Sequence, residues 1–140
     1  MRRILSHLSI ILCLFSVFSC NRNQAVQKQP DYDAALNIYF FHLTERCPAC
    51  TAVETETRAL LNTYYKTQVD SGIIKFKSFN IDRKENKAIA KKYQISYTSL
   101  LLIRADGTVI DFTNNSLNYA SMNPSKFDDL LKAEIDKNIE

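Results

Sequence analysis

The segment Cys47-Pro48-Ala49-Cys50 sets two thiols three residues apart. A thiol is a nucleophile only as the thiolate, and free cysteine titrates near ~8.5. Such a residue needs a place that favours the anion. The N-terminus of a helix is one, because its first N–H groups are unpaired and carry partial positive charge. Pro48 suits the first position of a helix, where its missing N–H costs nothing. Cys47 is therefore expected at a helix start, with Cys50 one turn in, where the two sulfurs can meet. In that arrangement Cys47 attacks a disulfide and Cys50 resolves the mixed disulfide. Run backwards, the same pair oxidises dithiols.

Other uses of the pair follow from other neighbours. A purely structural disulfide over so short a loop restrains little chain. Structural zinc takes four protein ligands. Beyond the N-terminal segment the chain offers two thiols and one histidine, His42. His42 precedes Cys47 by five residues. It is a core histidine with one nitrogen on backbone, a proton carrier, or a third ligand for copper(I) or another soft metal beside Cys47 and Cys50. Glu45 and Arg46 form a solvated rim or tune Cys47. A third reading is a non-catalytic adaptor that holds a partner through the surface around Cys47.

The elements that must position these residues can be read in order. Residues 34–43 (AALNIYFFHL) form an apolar strand. Ile38, Phe40 and His42 point one way and Tyr39, Phe41 and Leu43 the other, so a central strand covered on both faces is expected. A helix from Pro48 carries Val53, Thr57, Leu60, Leu61 and Tyr64 on one face. Asp70-Ser71-Gly72 ends the connection, and residues 73–81 have strand composition. Residues 85–93 form a short helix with Ala88, Ile89 and Tyr93 inward. Ser99 to Ile103 is a strand, Ala105-Asp106-Gly107 a hairpin turn, and Val109 to Phe112 the return strand. After a loop, residues 124–139 close the domain with a helix whose face is Phe127, Leu130, Leu131 and Ile135. Tyr64, Tyr65 and Tyr93 read as packing residues.

The order is β-α-β-α-β-β-α, with CxxC at the first strand-to-helix junction. This resembles the thioredoxin-like family over residues 34–140. IYFFHLTERCPAC, FKSFNIDRKENKAIAKKYQI and SLLLIRADGTVI carry the resemblance. It implies an α/β fold of three layers, α/β/α, with a mixed central sheet. It also implies a thiol–disulfide oxidoreductase that needs no cofactor and works on protein thiols or disulfides together with a redox partner protein. The spacer Pro48-Ala49 differs from the Gly-Pro pair of reducing thioredoxins and leaves the direction of electron flow open.

Two positions depart from the family. Thioredoxins place a cis-proline before the third strand, facing the CxxC. Thr98 stands there, preceded by Tyr97. A cis bond without proline costs about 3–4 kcal/mol, so Tyr97–Thr98 is expected to be trans. Pro48, Ala49, Tyr97 and Thr98 make up the expected substrate-facing surface. Many thioredoxins also bury an acid six residues before the first cysteine; Phe41 occupies that place here. Proton transfer then falls to His42, Glu45 or water.

Residues 1–19 read as an export signal: Arg2 and Arg3, then an apolar run from Ile4 to Phe18 that is too short and polar to span a membrane. Val17-Phe18-Ser19-Cys20 is similar to the lipobox of bacterial lipoproteins, with Phe18 in place of the usual small residue. It implies a lipid on Cys20 and a membrane-anchored protein of the bacterial cell envelope, facing the periplasm. Residues 20–33 (from Asn21, NRNQAVQKQPDYD) are a polar tether reaching on the order of 20 Å.

Without Arg2 and Arg3 the chain carries 16 basic and 15 acidic side chains, which gives no electrostatic reason for nucleic acid binding. Its only glycines, Gly72 and Gly107, argue against a glycine-rich phosphate cradle.

Overall fold

A computed structural model describes residues 34–139. The expected export signal, the lipid site at Cys20 and the tether lie outside the described residues. The sheet is built around β1 (Leu36–His42). β2 (Ile74–Asn80) lies parallel to it on one side, with Leu36 opposite Ile74 and His42 opposite Asn80. β3 (Ser99–Arg104) runs antiparallel on the other, from Phe41 opposite Ser99 to Leu36 opposite Arg104. β4 (Val109–Asp111) pairs antiparallel with β3, giving the order β2-β1-β3-β4. A parallel pair needs a long crossover. α1 (Pro48–Tyr64) and α2 (Lys66–Asp70) supply it.

The two faces of β1 go to two cores, as the absence of a polar face in its sequence requires. Leu36, Ile38 and Phe40 join Val53, Leu60 and Leu61 of α1 and Phe127, Leu131 and Ile135 of α5 (Pro124–Ile139). Tyr39 and Phe41 join Ile81, Leu101, Ile103 and Ala90 of α3 (Lys87–Lys92). Burying one such side chain contributes about 1.5–3 kcal/mol. The result is the three-layer thioredoxin-like architecture that the element order implies. The β3–β4 turn closes at Gly107, φ +86°, with its N–H donated to the Arg104 carbonyl at 2.9 Å.

Three local expectations are corrected. The stretch after β4 is not a plain loop: it holds α4 (Thr113–Tyr119). The helix has no apolar period to betray it, because its buried residues are Thr113 and Ser116. Their hydroxyls are both engaged: Ser116 donates to the Thr113 carbonyl within the helix, and the Leu100 N–H of β3 donates to Thr113 Oγ1. Second, Tyr64 is 51% exposed and lies outside the core, whereas Tyr65, likewise read as a packing residue, is 4% exposed and packs. The backbone leaves helical geometry at Tyr65 (φ −126°, ψ 20°), which swings that ring inward. Third, Ala88 is exposed and Ala90 buried. A 3-10 turn at Lys84–Asn86 precedes α3, and its tighter winding shifts the inward face.

α3 ends on a left-handed residue, Gln94, φ +57°. The Gln94 N–H donates to the Lys91 carbonyl and the Ile95 N–H to the Ala90 carbonyl, at 3.1 and 2.8 Å. This is a Schellman motif. It turns the chain sharply toward Tyr97 and Thr98.

Candidate functional site

The site forms where β1 hands over to α1. Cys47 is the N-cap of α1 in extended conformation, φ −74° and ψ 157°, and Pro48 follows as the first helical residue. The Cys47 carbonyl accepts the Thr51 N–H at 3.0 Å. Its sulfur accepts the Cys50 N–H at 3.1 Å. Sulfur thus takes the capping role that serine or aspartate oxygen fills elsewhere. The first turn of α1 contains no acidic side chain. Nothing there offsets the positive end of the helix.

Cys47 and Cys50 are joined in a disulfide, with Cα atoms 5.1 Å apart. Cys47 is exposed and Cys50 half-buried. Pro48 is exposed and Ala49 half-buried beside them. Of the two, Cys47 at the helix mouth is the more accessible residue.

Arg46 does not direct its charge to the thiols. Its guanidinium pairs with Glu54 and lies over the Phe40 ring, 5.4 Å from the centroid. Glu54 also accepts from Arg58, at 3.1 Å from Nε and 2.8 Å from Nη2. Burial pushes the Glu54 carboxyl up, but hydrogen bonds from Arg46, Arg58 and Ser78 together hold it below the usual carboxylate value. Glu45 is exposed.

His42 sits at the end of β1, half-buried and stacked on Phe40 with centroids 5.7 Å apart. Its Nδ1 lies 2.8 Å from the Leu43 carbonyl, a contact that requires the proton on Nδ1. One ring nitrogen is thus engaged with backbone. Among the described residues no group of three or more His, Cys, Asp or Glu side chains is arranged to hold a metal ion. His42 is therefore not gathered with Cys47 and Cys50 into a ligand set.

Tyr97 and Thr98 lie at the same end of the sheet. Ser99 is opposite Phe41, so the register brings Thr98 beside His42, where the loop to Cys47 departs. Among the described residues no peptide bond is cis, so Tyr97–Thr98 is trans as its energy cost predicts. Tyr97 is 57% exposed and Thr98 is 7% exposed. The Tyr97 carbonyl accepts the Ser99 hydroxyl at 3.1 Å. Phe41 is fully buried between Phe79 and Tyr93, so the position of the family's acid is wholly apolar.

Sequence reasoning missed the residues that pin the loop from Leu43 to Arg46. The Thr44 N–H donates to Asp82 at 2.7 Å, and Asn80 Nδ2 donates to Thr44 Oγ1 at 3.1 Å. Asp82 is held below its usual value first by that N–H, then by the Thr44 hydroxyl, with Lys87 and His42 adding favourable charge. The signal was faint: two polar residues, Asn80 and Asp82, flanking Ile81 at the end of a strand. Glu54, one turn after Cys50, was likewise unmarked.

No protein-family model matches the chain, and no curated protein matches it. Among solved structures, a disulphide isomerase from Xylella fastidiosa Temecula1 is similar with a TM-score of 0.48 and 16% identity, over 71% of this chain and 77% of that one. The first two thioredoxin domains of Saccharomyces cerevisiae Eps1p give 0.47 and 21% identity, over 71% of this chain and 40% of that one. The zinc-bound form of human ERp44 gives 0.47 and 16%, over 66% of this chain and 27% of that one.

Proposed function

We propose that this thioredoxin-like chain is a thiol–disulfide oxidoreductase working through Cys47 and Cys50. One observation carries the reading: the Cys47 sulfur caps α1, receives the Cys50 N–H at 3.1 Å and is bonded to the Cys50 sulfur. A sulfur so placed is activated for attack when reduced and reachable when oxidised.

In the disulfide form, a thiolate of a target dithiol attacks Cys47. The Cys47–Cys50 bond breaks and Cys50 leaves as a thiolate. The second target thiolate then attacks the target sulfur of the mixed disulfide, and Cys47 departs as a thiolate held by the helix mouth. Two electrons pass to the protein, and the target keeps a disulfide. In reverse, the Cys47 thiolate opens a target disulfide and Cys50 releases the reduced target. The relative reduction potentials set the direction. His42 Nε2, Glu45 or water carries the proton at Cys50, since Phe41 cannot.

The proposal extends to export and a lipid on Cys20, supported by the Val17-Phe18-Ser19-Cys20 pattern and the polar stretch after it. The targets are then disulfides or thiols of other exported proteins.

The test is single-turnover reduction of a protein disulfide by the reduced full-length chain. Wild type is expected to react, Cys47→Ser to be inert and Cys50→Ser to stall as a mixed disulfide. Full activity of Cys47→Ser would end the proposal.

A further inference from the structure

Arg46 directly precedes Cys47, with about 3.8 Å between their Cα atoms. A cation so close to a thiol favours the thiolate. The guanidinium is nevertheless turned back, onto Glu54 two turns into α1 and onto the face of Phe40. The side chains of Arg46 and Glu54 are 28% and 15% exposed, so their pairing is partly shielded from solvent.

Glu54 is what holds Arg46 there, since a ring face alone is a weak hold for a guanidinium. Glu54 does not depend on Arg46 in return. Arg46 bonds its Oε2, while Arg58 donates to Oε1 from Nε and Nη2, at 3.1 and 2.8 Å. Arg58 is itself fixed over the Phe76 ring, 4.5 Å from the centroid, and Ser78 of β2 adds a further hydrogen bond to the carboxylate. Two guanidinium groups thus share one carboxylate, and Arg58 suffices to neutralise it. Arg46 is the surplus cation of the cluster, and Glu54 decides where it points. The other charged or titratable neighbours of the first turn are few. Glu45 is exposed in the same loop, and His42 is stacked on the Phe40 ring that Arg46 also covers. The first turn of α1 has no acidic side chain, and the stretch Ser96-Tyr97-Thr98 contains no acid, lysine, arginine or histidine.

We propose that Glu54 is a positioning residue: it withholds Arg46 from Cys47 and thereby holds the cysteine pair toward the reducing end of its range. A thiolate stabilised by a neighbouring cation makes the dithiol a poorer electron donor. Withholding that cation does the reverse. This rests on the oxidoreductase reading and gives the same site a bias in direction.

The test titrates Cys47 in the reduced full-length chain carrying Cys50→Ser. The pH dependence of its alkylation by iodoacetamide is read on the Cys47 peptide by mass spectrometry. Glu54→Gln is expected to raise the Cys47 ionisation constant about threefold at low salt and less at high salt. In an Arg46→Gln background the same Glu54→Gln change should have little effect, because it acts through the guanidinium. Glu56→Gln removes the same charge two residues further along α1 and should leave the constant at its wild-type value. With Cys50 intact, Glu54→Gln should shift the equilibrium with glutathione toward the dithiol, by up to the same threefold. An unchanged constant in Glu54→Gln overturns the proposal, since Arg46 then goes to Glu45 or to solvent. An equal rise in both backgrounds, or the same rise in Glu56→Gln, also overturns it, assigning the effect to a direct field or a loosened helix. So does a dithiol that gains nothing against glutathione. Single-turnover reduction of a protein disulfide separates the two readings. A shifted Cys47 constant without reduction removes the oxidoreductase and keeps the role of Glu54; reduction with an unmoved constant does the opposite.

Discussion

The Cys50 N–H points at the Cys47 sulfur across 3.1 Å, so the backbone of one cysteine caps the other. The two cysteines are thereby unequal before any partner arrives. On the reduced protein, iodoacetamide at neutral pH should alkylate Cys47 at least about tenfold faster than Cys50. Mass spectrometry of the modified peptides checks this. Equal rates would mean that the helix mouth does not act on the sulfur.

Glu54 ties Arg46, in the loop before α1, to Arg58 of α1. Its carboxyl is depressed in the fold, so the stability it contributes is present above the unfolded value and is lost as pH falls through the folded one. Glu54→Gln should cost about 0.5–1 kcal/mol at neutral pH. The cost should begin to fade below about pH 4, the ordinary carboxylate value, and be gone only once the depressed Glu54 carboxyl itself protonates. Urea denaturation at both pH values reads the difference.

Tyr65 joins α1 to α5: its hydroxyl donates to Asp136 at 2.6 Å and approaches the Lys132 carbonyl at 3.3 Å. Burial first, then the Asp136 hydrogen bond and charge, push the phenol upward. A raised value contributes stability below the unfolded value that is lost as pH climbs toward the folded one. Tyr65→Phe should cost about 1–2 kcal/mol at neutral pH, a gap that closes above about pH 10. Thermal melts of the two proteins across that range test it.

Gln94 holds a left-handed conformation that a side chain disfavours. Gln94→Gly should raise stability by up to about 1 kcal/mol. An unchanged or lower denaturation midpoint would show that Gln94 is held there by more than its backbone hydrogen bonds.

What was legible in the sequence was whatever had a period or a motif. β1 announced two apolar faces, α1 and α5 showed apolar stripes, and Gly107 marked the hairpin. Cys47 and Cys50 were legible because Pro48 fixes a helix start. The illegible parts lacked such a period. α4 buries Thr113 and Ser116, which read as loop residues until a tertiary hydrogen bond to Leu100 accounts for them. Tyr64 leaves the α1 stripe because one non-helical residue, Tyr65, rotates the face, while Tyr65 packs as its sequence suggests. Thr44 and Asp82 are 38 residues apart, and no local rule joins them. Arg46 reads as a neighbour of Cys47 in sequence, yet its charge goes to Glu54, which lies on the next element.

β1 is the strand on which the others depend. Among the described residues β2 pairs with it alone, and without it β3 keeps only β4. The strand that launches the chain toward the reactive sulfur is therefore the keystone of the sheet. Heat cannot loosen this approach while sparing the rest. The protein should keep its chemistry up to its melting point and lose both at one temperature.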